Sequence, residues 1–443
     1  MDISQLVVDA IGLQDVSLEK IQTHKSELKV ELWVKQKRET CRCAKCGGQL
    51  LNIKDYRQRT LRGPPLGAFN EVVIYYSYLR AVCDTCQGKP QMAKIIGIHP
   101  QFQNLTYALV EVAGRLMEEI TCEAVSRLLR TNPKTMWDLD QCRMKRMLKD
   151  YKLPEDLDLS HMSADEVHFR TIENPERDHP FSEFNTRKFL TNLVCTKASK
   201  IIANAEGRDA LSLAKCLKIL PKATREKIEY FALDMNPGYF KAVTKFCPKA
   251  EIAVDRFHLA QNLNEYFNEV RKDEFKMAKK MKDDFQMGML EGGRKFILME
   301  RNPKLSIEEQ NLLGKLKMLN TNINAAMLIV DYFHKVLDQK GIAKFRKKLR
   351  SWYQLVKESK LKHFKKFALQ VRKYRMNIEA YIKSGLTTAI SEGLNNKIKV
   401  LKRMGYGYTN IESFQLKILQ RCGFLNSNFI DTSGWHWHIP DPQ

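Results

Sequence analysis

Asp165 in SADEVHF, Asp234 in YFALDMNPGY and Glu392 in ISEGLNNKIKVLKR each lie beside an otherwise apolar or basic stretch. Brought together, such carboxylates bind hard divalent cations through oxygen. A metal pair held this way stabilises both the attacking and the leaving oxygen of an in-line displacement at phosphorus. The surrounding chain is strongly cationic, with 74 Lys and Arg against 51 Asp and Glu and a formal net charge of +23. A cationic exterior attracts a polyanion. Acid clamp and basic surface together suit the breaking of phosphodiester bonds in DNA. A merely soluble basic protein is the alternative, but the cations are spread over every region, as an extended substrate requires.

Each acid also has a plainer reading. Asp234 ends the apolar run Tyr230-Phe231-Ala232-Leu233, which reads as a buried strand, and Asn236-Pro237 then caps a helix. The carboxyl end of a core strand is where α/β sheets tend to place their sites. Asp165 follows the strand-like HMSA, with Glu166 on the opposite face of an extended segment. Taken singly, either aspartate is as well explained as a helix cap or loop acid. On a helix at about 100° per residue, Leu394, Ile398 and Leu401 form one apolar stripe, and Glu392, Asn395, Asn396, Lys399 and Arg403 share the opposite side. That face can hold a metal at its start and phosphates along its length, or be an ordinary solvated face. Asp255-Arg256-Phe257-His258 follows the short strand EIAV. His258 either helps the site or is a packed histidine with local hydrogen bonds.

Cysteine supplies a second candidate metal centre. Cys43-Ala-Lys-Cys46 and Cys83-Asp-Thr-Cys86 are two C-x2-C pairs, which together complete a tetrahedral zinc shell. Gly47 and Gly48 suit the tight knuckle after the first pair. The separation exceeds the ~15–20 residues of common four-cysteine sites, so an intervening β-hairpin must bring the pairs together. Cys41 rivals Cys43 with poorer spacing, and two unrelated reduced pairs remain the alternative. An odd total of eleven cysteines, without an export signal, argues against a disulfide framework. The N-terminus does not read as a secretory signal, and no run of about 18 apolar residues spans a membrane.

The positioning elements follow from composition and pattern. The length of 443 residues exceeds the ~250–300 of a single core. The expectation is a multidomain α+β protein. Residues 1–100 form a β-rich zinc-binding module. Residues 104–150 form a helix-turn-helix-like module, in which Thr121 caps a helix striped by Ala124, Val125 and Leu128, and Asn132-Pro133 opens the next. Lys134 and Thr135 would lead that last helix into a DNA groove, with Arg143, Lys145 and Arg146 further along. A plain helical linker explains the same pattern nearly as well. Residues 158–270 mix short apolar runs with helices, 271–384 read as almost wholly helical, 385–430 return to the core, and 431–443 form a tail. His436 and His438 flank Trp437 in that tail, where aromatic packing competes with metal binding.

These stretches together resemble one family, the bacterial insertion-sequence transposases of the ISL-three type, a branch of the DDE transposases. The resemblance rests on ADEVHF, EGRDALSL, the block from ALDMNPGYF through DRFHLAQNLNEYFNEVRK, and SEGLNNKIKVLKRMGYGYTNIESFQLKILQRC, with CAKCGG and VCDTC at the N-terminus. It covers nearly the whole chain. It implies an RNase H-like α/β catalytic core interrupted by an all-α insertion. Asp165 then matches the first catalytic aspartate, on the first core strand. Asp234 matches the second, at the end of the fourth, and Glu392 matches the glutamate on a late helix. Asp255 and His258 match the C/D-x-x-H signature of Mutator-like transposases. Trp352, in the insertion, either packs there or contacts DNA. Two departures stand out: TIENPERDHPFSEFNTRK replaces a short Lys-, Gly- and His-rich turn after the first aspartate, and the cysteine segment lacks an extra Cys and aromatic pattern.

The implied activity is binding of terminal inverted repeats, Mg²⁺-dependent strand cleavage and 3′-OH strand transfer. Asp165, Asp234 and Glu392 would hold two Mg²⁺ (or Mn²⁺) ions, while Lys397, Lys399, Lys402 and Arg403 would neutralise DNA phosphates. The expected cofactors are Mg²⁺ and structural Zn²⁺. The expected partners are DNA and further copies of the chain, at least a dimer, with no membrane. The expected location is the bacterial cytoplasm, at the nucleoid. A transposase-derived DNA-binding regulator without chemistry is the alternative, and a structural or RNA-binding protein using charge alone is a third.

Overall fold

The computed structural model describes residues 3–50, 52–86, 89–172, 186–291, 305–405 and 407–430. The tail with His436, Trp437 and His438, and most of TIENPERDHPFSEFNTRK, lie outside these. Two compact units emerge, one from residues 1–155 with 399–443 and the other from 156–398.

The first unit opens with helix α1 (Ile3–Ile11), then strands β1 (Val16–His24), β2 (Lys29–Gln36), β3 (Asn52–Gly63), β4 (Glu71–Val82) and β5 (Gln91–Met92). Their order is β1-β2-β4-β3, with β5 also on β4. In β2, KVELWVKQ alternates strictly, so Val30, Leu32 and Val34 enter the core against α1's Val8 and Ile11. That alternation is the period-2 signature of a half-buried strand. The cysteine pairs flank β3 and β4, an antiparallel hairpin in which Asn52 faces Val82, so the two knuckles meet at one end.

Helices α2 (Tyr107–Glu119), α3 (Cys122–Leu128) and α4 (Pro133–Lys149) follow. Thr106, Thr121 and Asn132 each cap the next helix by accepting backbone N–H bonds. The expected stripe of α3 needs one correction. Val125 is buried, but Leu128 is 44% exposed and Leu129 is inside. Leu129, four residues after Val125, continues the buried side in helical phase, and Arg130 then turns left-handed at φ 47°.

The second unit holds β6 (His161–Ile172), β7 (Thr186–Cys195), β8 (Lys200–Glu206), helices α5 (Ala210–Lys218) and α6 (Lys222–Arg225), β9 (Tyr230–Leu233), α7 (Pro237–Phe246) and β10 (Glu251–Val254). The sheet order is β10-β9-β6-β7-β8. β6, β7 and β8 form an antiparallel meander, whereas β9 runs parallel to β6 and β10 parallel to β9. The first strand is therefore central, and the carboxyl ends of β6, β9 and β10 point the same way. The runs YFAL and EIAV are buried almost throughout, as parallel strands covered on both faces must be.

Beyond the sheet come α8 (Arg256–Met281), α9 (Asp284–Leu290), α10 (Ile307–Leu319), α11 (Thr321–Leu337), α12 (Ile342–Ser359), α13 (Lys362–Lys373) and α14 (Arg375–Ser384). They enclose one apolar core around Phe333, Phe345, Trp352, Phe364 and Phe367. Trp352 is fully buried and donates its indole N–H to the Ile329 carbonyl at 3.1 Å. It packs, and of the two sequence readings contact with DNA is excluded.

The chain ends with α15 (Ala389–Met404) and α16 (Ile411–Cys422). α16 packs on α2 and α4 within the first unit. Lys417, buried, donates to Asp140 at 2.7 Å, Gln420 at 2.7 Å and the Met117 carbonyl at 2.8 Å. These charged bonds replace the hydration that burial removes.

Candidate active site and cysteine cluster

Three sheet positions and one helix build the acidic centre. Asp165 projects from the middle of β6, Asp234 stands one residue beyond β9, and Asp255 follows β10 as the cap of α8, accepting from Phe257 N at 3.3 Å. Asp255 is buried at 2% exposure. Its Oδ2 accepts from Thr388 Oγ1 at 2.5 Å and His258 Nδ1 at 3.2 Å. The same His258 nitrogen lies 2.9 Å from Asp234 Oδ1. Asp234, Asp255 and His258 can offer ligand atoms that all lie within 4.8 Å of one another.

Electrostatics separates these groups. Burial, then the charge of Asp234, push the Asp165 carboxyl up to about 7, although the Glu166 N–H works the other way at 2.8 Å. Burial and Asp234 also raise Glu166, which hydrogen-bonds Tyr239. Bonds to Asp234 and then Asp255 raise His258 to about 10, so an imidazolium bridges the two acids. Burial disfavours ionisation of Asp255, but the bonds from His258 and Thr388 outweigh it and hold that carboxyl below its ordinary value. Asp255 is thus an ionised, protein-satisfied acid, whereas burial leaves Asp165 short of compensating positive charge.

α15 and Thr388, the residue just before it, reach this centre through small polar side chains. Thr388 meets Asp255, and Ser391 shares a buried 2.6 Å bond with Ser163 of β6. Asn395 donates to Asp165 Oδ2 at 2.7 Å and to the Glu166 carbonyl at 3.3 Å. Its own oxygen accepts from Asn192 of β7 at 3.3 Å. Glu392 N bonds the Thr388 carbonyl at 2.9 Å, the first helical bond of α15. Positions i−4, i and i+3 share one helix face. Glu392 therefore rises between the residue that touches Asp255 and the residue that touches Asp165.

The four sequence-selected cysteines, Cys43, Cys46, Cys83 and Cys86, come together with all sulfurs within 4.8 Å. Cys43 and Cys86 are 3.9 Å apart, Cys46 and Cys83 3.5 Å. Sulfurs in a tetrahedral shell with ~2.3 Å Zn–S bonds lie about 3.8 Å apart, so the cluster fits zinc. Backbone N–H groups of Cys46 and Lys45 lower the Cys43 thiol to about 6, preparing a thiolate. Gly47 takes φ +71° in the knuckle. Cys41 is not a ligand: its thiol donates to the Lys37 carbonyl at 3.1 Å, and burial raises it to about 11.

A family model described as a transposase, of the DDE ISL3 type, matches residues 181–418, just over half of the chain. The chain belongs to the ISL-three family of DDE transposases. It is 23% identical over 390 residues to the transposase for insertion sequence element IS1001 of Bordetella parapertussis, covering 88% of this chain and 90% of that one. It is 21% identical over 241 residues, about half of each chain, to the transposase for element IS1557 of Mycobacterium tuberculosis.

Against this family membership, the expected residues sort as follows. Asp165 lies on the first strand of the five-stranded sheet, Asp234 just past the fourth and Glu392 in the first turn of α15. Asp255 and His258 are both at the acids. Lys397, Lys399 and Arg403 are exposed on α15, while Lys402 is half-buried and its ammonium is lowered by burial. At the start of α4 Lys134 is exposed and Thr135 half-buried, and Lys134 pairs with Asp138 at 2.9 Å. Arg143 is not available to DNA: it is 4% exposed and ion-paired to Glu118. Sequence reasoning missed the linking residues Thr388, Ser391 and Asn192, and it set Asn395 on the outer face of α15, where the structure buries it at 7% exposure. No described helix is long and apolar enough to cross a membrane.

Proposed function

We propose that this chain is a metal-dependent DNA transposase that binds the terminal inverted repeats of an insertion sequence, cleaves at the element's ends and joins the freed 3′-OH to target DNA. The observation that carries the proposal is the convergence of α15 on the acid-bearing sheet, through Thr388 to Asp255 and Asn395 to Asp165. Asp165, Asp234 and Glu392 would hold Mg²⁺ or Mn²⁺. The donor set fits: hard oxygen ligands, in a site where burial and then the charge of Asp234 push the Asp165 carboxyl up to about 7. Two ions bound there would supply Lewis-acid stabilisation of the entering and leaving oxygens.

The chain's own residues do the positioning. Asn395 and the Glu166 N–H fix both oxygens of Asp165. The His258 imidazolium fixes Asp234 against Asp255. Water forms the new bond to phosphorus, the P–O3′ bond breaks, and the 3′ oxygen leaves with a proton. That hydroxyl then attacks a target phosphodiester in the same sense. Lys397, Lys399, Lys402 and Arg403 neutralise phosphates along α15.

The central first strand, with the fourth and fifth parallel to it, supports an RNase H-like core. Cys43, Cys46, Cys83 and Cys86 would hold structural zinc. That module and the helices led by Lys134 and Thr135 would read the inverted repeats. Both element ends must be held together, so the working form is at least a dimer, acting on DNA in the bacterial cytoplasm.

The test is incubation of the full chain with labelled end DNA. Cleavage and strand-transfer products are expected in Mg²⁺, binding without cleavage in Ca²⁺, and no cleavage by Asp234→Ala. Equal end cleavage by wild type and Asp234→Ala, or none by wild type on its own repeats, would leave a DNA-binding regulator as the better reading.

A further inference from the structure

Charge is not spread evenly over the helical body. Residues 342–373, which are α12, α13 and the two residues joining them, contain twelve Lys and Arg and one acid, Glu358. This short stretch therefore accounts for +11 of the chain's net +23. Its neighbours do not share the excess. α8 sets six cations against four acids, and α10 has two of each.

The packing decides where these charges go. α12 buries Phe345, Leu349, Trp352 and Val356, and α13 buries Phe364, Phe367 and Val371. Those positions follow helical spacing, so each helix has one anchored stripe and its remaining circumference outside. Eleven of the twelve cations are exposed, Lys348 being half-buried. Arg346 is engaged with the buried Glu379 at 2.6 Å and Lys362 with Asp273 at 2.8 Å. Among the described residues, Lys347, Lys365 and Lys366 stand in no ion pair. A fixed scaffold thus displays uncompensated positive charge, which costs self-repulsion unless a polyanion covers it.

We infer that the outer faces of α12 and α13 form a second DNA-backbone surface, in addition to the cations of α15 and of α4. It would hold duplex DNA by its phosphates without reading sequence. The inference rests on the transposase reading, since an acidic centre for phosphodiester chemistry in the same unit makes DNA the fitting polyanion. RNA and anionic lipid are the competing occupants.

The experiment compares three full-length proteins for binding to end DNA and to unrelated duplex across a salt series. The first is wild type. The second carries Lys347→Gln, Arg350→Gln, Lys365→Gln and Lys366→Gln. The third, a charge-matched control, carries Lys276→Gln, Lys279→Gln, Lys280→Gln and Lys315→Gln on exposed sites of α8 and α10. All eight positions are exposed, so melting curves should coincide. Each phosphate contact adds about 0.9 to the slope of log K against log salt. The α12–α13 variant is expected to lose about 3 to 4 from that slope on both DNAs, with the control unchanged. Equal loss in both variants, or none in either, overturns the inference while leaving the transposase reading intact. Tighter binding of RNA or of phosphatidylserine vesicles than of DNA through the same four residues also overturns it. Wild type that binds no DNA at all removes the transposase reading itself, and this surface with it.

Discussion

Asn395 donates its side-chain amide to Asp165 Oδ2 at 2.7 Å, joining a helix and a strand separated by 230 residues of chain. The same amide bonds the Glu166 carbonyl, and its oxygen is tied to Asn192. The carboxylate nearest the middle of the sheet is therefore oriented by the helix that carries Glu392.

Replacing Asn395 by Ala removes that orientation and strands the Asn192 amide. Groups that orient metal ligands typically contribute 10–100-fold, and a lost bond to a charged partner costs about 1.5–3 kcal/mol. End cleavage should fall by about that factor, with the melting transition lowered but still cooperative. Wild-type cleavage rates from Asn395→Ala would show that Asp165 needs no such support.

Lys417 and Asp140 form a buried ion pair, at 6% and 0% side-chain exposure. Lys417→Met leaves Asp140 charged, buried and stripped of its strongest partner. Urea denaturation should show a loss of about 3–5 kcal/mol. The double variant Lys417→Met, Asp140→Leu should recover most of it, because no unpaired charge remains. A single variant as stable as wild type would mean that water reaches Asp140.

His99 gives the first unit an acid sensitivity. Its Nδ1 accepts backbone N–H groups of Gln101 and Phe102, both at 3.2 Å. Burial, then Arg146, lower its pKa from 6.5 to about 4. The unfolded chain thus takes up this proton first as pH falls. Stability is complete above about 6.5 and is lost progressively down to about 4, by up to about 3 kcal/mol. His99→Asn should flatten the difference in unfolding free energy between pH 7 and pH 4.5. An unchanged pH profile would contradict the buried neutral imidazole.

The cysteine cluster predicts one zinc per chain by elemental analysis after purification without chelator. Cys43→Ser should lose the metal and lower the melting temperature of the first unit. Cys41→Ser should keep it, since that thiol is spent on the Lys37 carbonyl. Zinc retained by Cys43→Ser and lost by Cys41→Ser would exchange the roles assigned to them.

Local signals were legible where local forces decide. The caps at Thr121, Asn132 and Asn236 and the strand-ending Asp234 all read directly from sequence. Asp255 and His258 were visible as a pair, but the bond from His258 to Asp234 was not, because it depends on β9 and β10 lying parallel. Leu128 departs from the expected stripe because the buried side steps four residues from Val125, to Leu129, rather than three. Asn395 was set on the outer face because it sits at the edge of the buried arc of α15, beside Leu394 and Ile398. Thr388 and Ser391 extend that edge. Small polar residues flanking an apolar stripe were the available signal that one helix side was buried against polar partners.

Transposition by this chain requires that Asp165, Asp234 and Glu392 share one metal-binding centre. The most direct measurement is Mn²⁺ binding by calorimetry to the full chain on non-cleavable end DNA. Wild type is compared with Asp165→Asn, Asp234→Asn and Glu392→Gln, and with Glu412→Gln on α16 as a control. All three isosteric changes should weaken or abolish Mn²⁺ binding, with the control like wild type. Mn²⁺ binding by Glu392→Gln that equals wild type, while the aspartate variants lose it, would contradict the shared centre.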